Sequence, residues 1–439
     1  MTRNILDIVR NLYPYAYSVV SSENDRALPA FLDELDFNVV EIPSGCELNG
    51  WVVPAEYKPI RANLIKDGKL LFDAMSTPLG VGVLSPPFTG NIILSELKKH
   101  LFYSDDCPES IPYHWINLYR PADRDWAFCV KKSFFDSLTN GEYRVELETL
   151  EQPGTMKVLD FSLPGMSSDT ILLNGHNCHP WQANDDLSGC AVGIAVMQAL
   201  KEREYRKYSY RLVIAPELIG TVHWLAGLKH TDKRFVGAVM LKSVGNSSPL
   251  KLQHSFEGVS QLDKAASSVL RQHDRSYVSG AFRTIYGNDE TVFDSPGYEI
   301  PSISLTRFPF AEYHTDADTP DSLSATSLGE TYDVVLEIID ALENNETLKF
   351  SERGLVALSH PRYQLYRPAP APGIDKGKYR EESRRWNLLM NCLPRELNGT
   401  NSAIDLAFKY DIPVLEVCAY LKQWVEKGLA TPIKQGTSC

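Results

Sequence analysis

Two imidazoles and two carboxylates fall within one short run: His176, His179, Asp185 and Asp186 in GHNCHPWQANDDLSG, residues 175–189. Imidazole and carboxylate together suit zinc or a similar divalent ion. A hydrolytic zinc site needs about three protein ligands, an open position, and a nearby carboxylate that takes a proton from the attacking water. Two later segments complete that inventory. Glu217 in PELIG is the candidate base, and His314 in EYHTDADT joins His176, His179 and Asp185 as a candidate ligand. The plainer alternatives are structural: Asn184 or Asp185 would cap a helix, the histidines would be surface polar groups, and a strand-end Glu would be a cap or an ion-pair partner.

Each of these groups sits where an apolar run stops. Residues 170–174 (TILLN) read as a buried strand and 189–200 (GCAVGIAVMQAL) as a closely packed helix. A second strand, 208–215 (YSYRLVIA), ends just before Glu217; a third, 235–241 (FVGAVML), ends at Lys242. A fourth, 300–305 (IPSISL), leads through Arg307 to His314, and a helix over 323–342 follows. Strand-end loops of an open α/β sheet converge on one edge, where ligands bind. The expected fold is therefore α/β. Residues 6–35 have helical spacing broken at Tyr13-Pro14 and lead into a strand at 37–42 (FNVVEI). Between 44 and 121, short apolar segments alternate with Pro and Gly, as in a small β-rich module inserted into the larger domain. Strand-like spacing returns at 125–130 and 143–147.

The chain has 439 residues, 43% hydrophobic and 23% charged, enough for two or three domains. A net charge of -12 disfavours broad binding to nucleic acid or anionic membrane. Residues 1–10 lack the apolar core of a signal peptide, and no run approaches the roughly 20 apolar residues of a membrane helix. The sequence thus reads as cytoplasmic. Its eight cysteines form no CxxC pair, against both a disulfide framework and a cysteine-rich zinc knuckle.

The order GHxxH…ANDDLSG, PELIG, EYHTDADT resembles the zinc aminopeptidase superfamily. The chain is more closely similar to a bacterial aminopeptidase-like branch of unknown substrate. That branch carries a small inserted module and a C-terminal winged helix. Its likeness rests on Ile42-Pro-Ser-Gly45, Val52-Val-Pro54, Leu97-Lys-Lys-His-Leu101, Ile111-Pro-Tyr113, Trp126-Ala-Phe-Cys129, Cys178-His-Pro180, Asn184-Asp-Asp-Leu-Ser-Gly189, Pro216-Glu217, Asp289-Glu290, Ser295-Pro-Gly297 and Glu312-Tyr-His-Thr315. The resemblance implies a three-layer catalytic domain, a mixed sheet with helices on both faces, over 1–43 and 122–360, an inserted module over 44–121, a proline-rich linker over 361–375 and a winged-helix-like domain over 376–439. It also implies a bacterial setting near polysaccharide or specialised-metabolite assembly.

Three departures from the superfamily's two-zinc pattern favour one ion. Cys178 replaces the Asp of His-x-Asp, Leu218 replaces a ligating Glu, and Lys242 takes the place of a later-strand Asp that holds the second metal. A lysine there puts a positive charge where a second cation would sit. Asp185 and His314 are the expected zinc ligands, with His179 or His176 as the third; Glu217 is the base or itself a ligand. Asp186 is expected to hydrogen-bond the loop or cap the helix. Asp289, Glu290, Arg307 and Lys242 are candidate substrate-binding residues; Asp289 and Glu290 would hold an amine or lie in a solvated turn, and Arg307 would meet a carboxylate or pair with Glu312.

In the C-terminal region, three helices over 381–393, 402–410 and 413–427 and a strand over 429–433 are expected. Residues 376–439 hold ten Lys or Arg against seven Asp or Glu, and the would-be recognition helix carries Glu416 and Glu426. That composition suits packing or homo-oligomerisation better than DNA. Two functions are compatible with the sequence: a one-zinc hydrolase of an amide in a small-molecule or peptide-like substrate, and a binding or regulatory protein that retains the scaffold without the chemistry.

Overall fold

A computed structural model describes residues 4–228, 234–367 and 378–433. Two compact units emerge, residues 1–253 with 283–332, and residues 254–282 with 333–439. Most of the expected proline-rich linker, residues 368–375, lies outside the described residues.

In the first unit seven strands form one mixed sheet. Their spatial order is Asn38–Pro43, Thr155–Leu163, Ser209–Ala215, Asp169–His176, Arg234–Lys242, Ser302–Thr306, Lys251–Gln253. The four from Ser209–Ala215 to Ser302–Thr306 are mutually parallel, and antiparallel strands flank them on both sides. Near-continuous burial along Asp169–His176 and Ser209–Ala215 explains their unbroken apolar texture. The register places His176 beside Ala215 and Lys242 beside Thr306, so four strand ends share one rim.

The Ser188–Lys201 helix leaves that rim. Its small residues allow close approach to the sheet. A Cβ on Gly189 would lie 2.1 Å from the carbonyl oxygen of Leu241, so this position takes only glycine. Two helices precede the first strand, Ile5–Leu12 and Ser22–Leu32, capped by Asn4 and Ser21.

A second, four-stranded antiparallel sheet runs in the order Lys69–Asp73, Glu56–Lys66, Glu142–Gln152, Phe88–Ile93. Its apolar face packs Leu64, Val145 and Leu147 with Trp126 and Phe128. One of its two central strands, Glu142–Gln152, comes from well beyond residue 121.

The second unit contains the helices Gln261–His273, Lys378–Glu396, Ala403–Tyr410 and Val414–Glu426. Its three-stranded antiparallel sheet has Thr347–Phe350 between Asn398–Ser402 and Ala430–Pro432. Asp405 accepts from Lys264 Nζ at 2.7 Å and from Gln261 Nε2 at 3.0 Å. Among the described residues no helix is long and apolar enough to cross a membrane.

Candidate metal centre

The loops leaving the shared rim carry four non-glycine residues at positive φ: Trp181 (54°), Leu218 (60°), Ser243 (52°) and His314 (54°). That region is unfavourable for side chains with a Cβ, and residues held there cluster at functional sites. At Leu218 a ψ of -68° and a 2.8 Å bond from the Ile219 amide to the Glu217 carbonyl make a tight γ-turn. Asp289 braces it, accepting from the Leu218 amide at 2.6 Å and the Thr221 hydroxyl at 2.8 Å.

Asp185 is the centre of the arrangement. Its Oδ1 lies 3.1 Å from His176 Nε2 and receives the Lys242 ammonium. Its Oδ2 lies 3.1 Å from His314 Nε2 and 3.9 Å from His179 Nε2. Neither Asp185 nor Asn184 caps the helix. Asn184 Oδ1 accepts from the Gly245 amide, and the helix has no side-chain cap. Asp318 holds the loop from outside, accepting the amides of Asn184 at 2.6 Å and Asp185 at 2.9 Å. Asp186 ties the loop to both neighbouring strands through the amides of His176 and Ser243.

Potential ligand atoms form two adjacent triads, His179, Asp185 and His314 in one and His176, Cys178 and Glu217 in the other, each within 4.8 Å. Lys242 stands between them. Fully buried, its ammonium bonds Asp185 and, at 2.8 Å, His176 Nε2, with the Tyr286 ring 4.9 Å away. Burial alone would lower its pKa, but Asp185 and Glu217 hold it well above the usual lysine value. Burial likewise opposes ionisation of Asp185, yet Lys242, His176 and His314 keep its carboxyl well below the usual range. Burial drives the His179 imidazole well below its ordinary value, so it is neutral and has a lone pair to give.

The donor set fits a divalent ion. His179 Nε2 is buried without a hydrogen-bond partner, an omission worth about 1–3 kcal/mol when nothing satisfies it, and Asp185 Oδ2 beside it faces the His314 and His179 imidazoles. Two imidazoles and a carboxylate converging on one point are a zinc-type ligand set. Nδ1 of His179 lies 3.6 Å from the Cys178 sulfur, which leaves Nε2 to face Asp185.

Other sequence candidates sit elsewhere. Arg307 is buried, and its guanidinium donates to the carbonyls of Val244, Ser248 and Ser327 and pairs with Glu330, where Glu312 was the expected partner. Asp289 and Glu290 are fully buried, not in a solvated turn. Burial first, then Glu217, raises the Asp289 carboxyl to about 7. Glu290 Oε1 accepts from Gln253 and from the Asn288 amide.

Three aromatic rings and one acid escaped sequence reasoning. Tyr113 stacks on His179 at 4.5 Å, and its amide donates to the His314 carbonyl at 2.7 Å. Tyr313 stacks on His314 at 3.9 Å, and its hydroxyl meets that of Tyr286 at 2.7 Å. Tyrosines have no spacing signature for such roles. Asp318 had one weak signal, its place in the His314 segment.

Comparison with known proteins finds the same fold elsewhere. A Clostridium acetobutylicum protein, named as a candidate polysaccharide biosynthesis protein with an aminopeptidase-like domain, is 27% identical over 92% of this chain and 91% of its own. The crystal structure of a candidate peptidase from Clostridium acetobutylicum superposes with a TM-score of 0.78 at 24% identity, covering 98% of this chain and 96% of that one. A zinc aminopeptidase from Bacillus subtilis shares the fold with a TM-score of 0.58 at 13% identity, over 76% of this chain and 93% of that one. The α/β core is thus that of the zinc aminopeptidases. With residues 6–345 matching its model, the chain belongs to the family described as "Domain of unknown function (DUF4910)".

Proposed function

We propose that the chain is a one-zinc hydrolase of an amide or peptide-like bond, with aminopeptidase-like chemistry. The observation that carries this reading is the buried, partnerless His179 Nε2 converging with His314 Nε2 on the Oδ2 atom of Asp185. His179, Asp185 and His314 would hold the ion, which when bound polarises a carbonyl and lowers the pKa of water. His179 is preferred to His176 because His176 Nε2 already accepts from Lys242. Lys242 also supports a single ion, since its ammonium takes the Oδ1 side of Asp185 and would repel a second cation there.

Glu217 acts as the base. Its carboxylate accepts a proton from the attacking water and passes it to the leaving nitrogen. The water oxygen forms the new C–O bond as the C–N bond breaks, giving an acid and an amine. Asp289 fixes the turn that carries Glu217, and the Tyr113 and Tyr313 rings hold the two imidazoles flat. The name of the Clostridium relative supports a role in polysaccharide assembly. The helices and strands after residue 376 would form a winged-helix-like unit for packing or self-association.

Lys242, Leu218 and Cys178 favour a second reading, a protein that binds a ligand without turning it over. Metal analysis of protein purified without chelator separates the two. About one equivalent of zinc supports the hydrolase; none supports the binding protein.

A further inference from the structure

We propose that the cleft beside Glu217 is a subsite for a neutral saccharide bearing the amide to be cleaved, an N-acylated amino sugar. The bond broken rests on the hydrolase reading above; the group recognised rests on the cleft alone.

The cleft has a volume of about 780 Å³, within the roughly 300–1,000 Å³ range of small-molecule sites, and Cys178 and Glu217 are among its lining residues. One wall is the hairpin Glu47–Leu48 and Trp51–Val52, joined by Asn49 and Gly50 at φ 51° and 86°, a tight turn that matches strand twist. His223 Nε2 donates to the Trp51 carbonyl at 3.0 Å and pins this wall to the Ile219–Ala226 helix. Tyr119 also lines the cleft, and its ring meets Trp51 edge to face at 6.2 Å. Outside the lining, the Trp115 ring packs 5.4 Å from Tyr119 and 6.5 Å from His314.

Tyr119 is 43% exposed and Trp115 39%. Tyr119, a large ring left in water in the cleft that also holds Glu217, is apolar surface that a ligand would cover. Charge narrows the ligand. Arg124 is the sole cation among the lining residues, and Glu151 neutralises it at 2.8 Å. A phosphate or nucleotide group would find no free counter-charge there and would face Glu217. A hydrocarbon or aromatic side chain would leave the polar edge of Arg124, Glu151 and Asn49 facing apolar surface, which is unfavourable. A neutral sugar satisfies both surfaces, its C–H face on the rings and its hydroxyls on the polar edge.

The test titrates the full chain, zinc-loaded and chelated, with N,N'-diacetylchitobiose, following tryptophan fluorescence and saturation-transfer NMR. Saturable binding is expected in both forms, at least tenfold weaker in Tyr119→Ala and in Trp51→Ala, with Trp51→Phe retaining most of it. UDP-N-acetylglucosamine and phenylalanyl-phenylalaninamide are expected to bind more weakly than the disaccharide. No saturable binding by the disaccharide, tighter binding of either comparison ligand, or unchanged affinity in Tyr119→Ala overturns the proposal. Disaccharide binding without release of acetate or amine by the zinc-loaded protein counts against the hydrolase reading and leaves the subsite standing.

Discussion

Lys242 Nζ lies 2.8 Å from His176 Nε2 and bridges that imidazole to the carboxylate of Asp185. In the resemblance to the zinc aminopeptidases, Lys242 takes the place of the Asp that holds a second metal. Replacing it by a carboxylate, Lys242→Asp, should restore a ligand set with His176 and Asp185. Zinc content by mass spectrometry is then expected to rise from about one equivalent to about two. Lys242→Met instead strands a buried carboxylate, which costs about 3–5 kcal/mol when one partner of a buried pair is removed. Urea unfolding of metal-free protein measures that loss, and a variant as stable as the parent would deny Lys242 its role.

The two imidazoles of the GHNCH run should behave differently. His179→Ala removes a proposed ligand and is expected to lose zinc in competition with a chelating dye. His176→Ala should keep zinc while disturbing Lys242, its hydrogen-bond partner. Equal zinc loss in both variants would return the third ligand to ambiguity.

Glu217→Gln keeps the shape and removes the basic oxygen. Zinc content should stay at the parental level while turnover of an N-acylated amino sugar or an amino-acid anilide falls roughly 10²–10⁴-fold, the usual worth of general acid–base catalysis. Parental turnover would exclude Glu217 from the reaction.

Asp263 gives the second unit an acid-sensitive support. Burial alone would raise its carboxyl, but hydrogen bonds from His254, Ser255 and Ser260 lower it from 3.8 to about 2. A depressed folded-state value means stability present above the unfolded value of 3.8 and lost as pH falls through about 2. The contribution near neutrality is about 2 kcal/mol. Asp263→Asn should lower stability at pH 7 and reduce the loss between pH 4 and pH 2, read by chemical denaturation across that range.

Long, fully buried runs made the parallel strands legible, because a strand covered on both faces has nothing but apolar residues to show. With the strands came their ends, and so His176, Glu217, Lys242 and His314. The capping alternative for Asp185 failed because both carboxylate oxygens face other side chains, an orientation that composition does not encode. Glu142–Gln152 could be read as a strand but not assigned its partners, since pairing with Glu56–Lys66 spans a long stretch of chain. Tyr113 was hidden for the same reason, arriving at His179 from far upstream.

Tyr113 reaches the candidate metal ligands twice over, by ring stacking on His179 and by its amide on the His314 carbonyl, with Pro112 bridging Thr315. A residue ahead of the α/β core's parallel strands therefore forms part of the floor under the imidazoles. Swapping in the equivalent insert of a relative would move both histidines along with the cleft wall, so selectivity and metal affinity should drift together under mutation and resist being engineered apart.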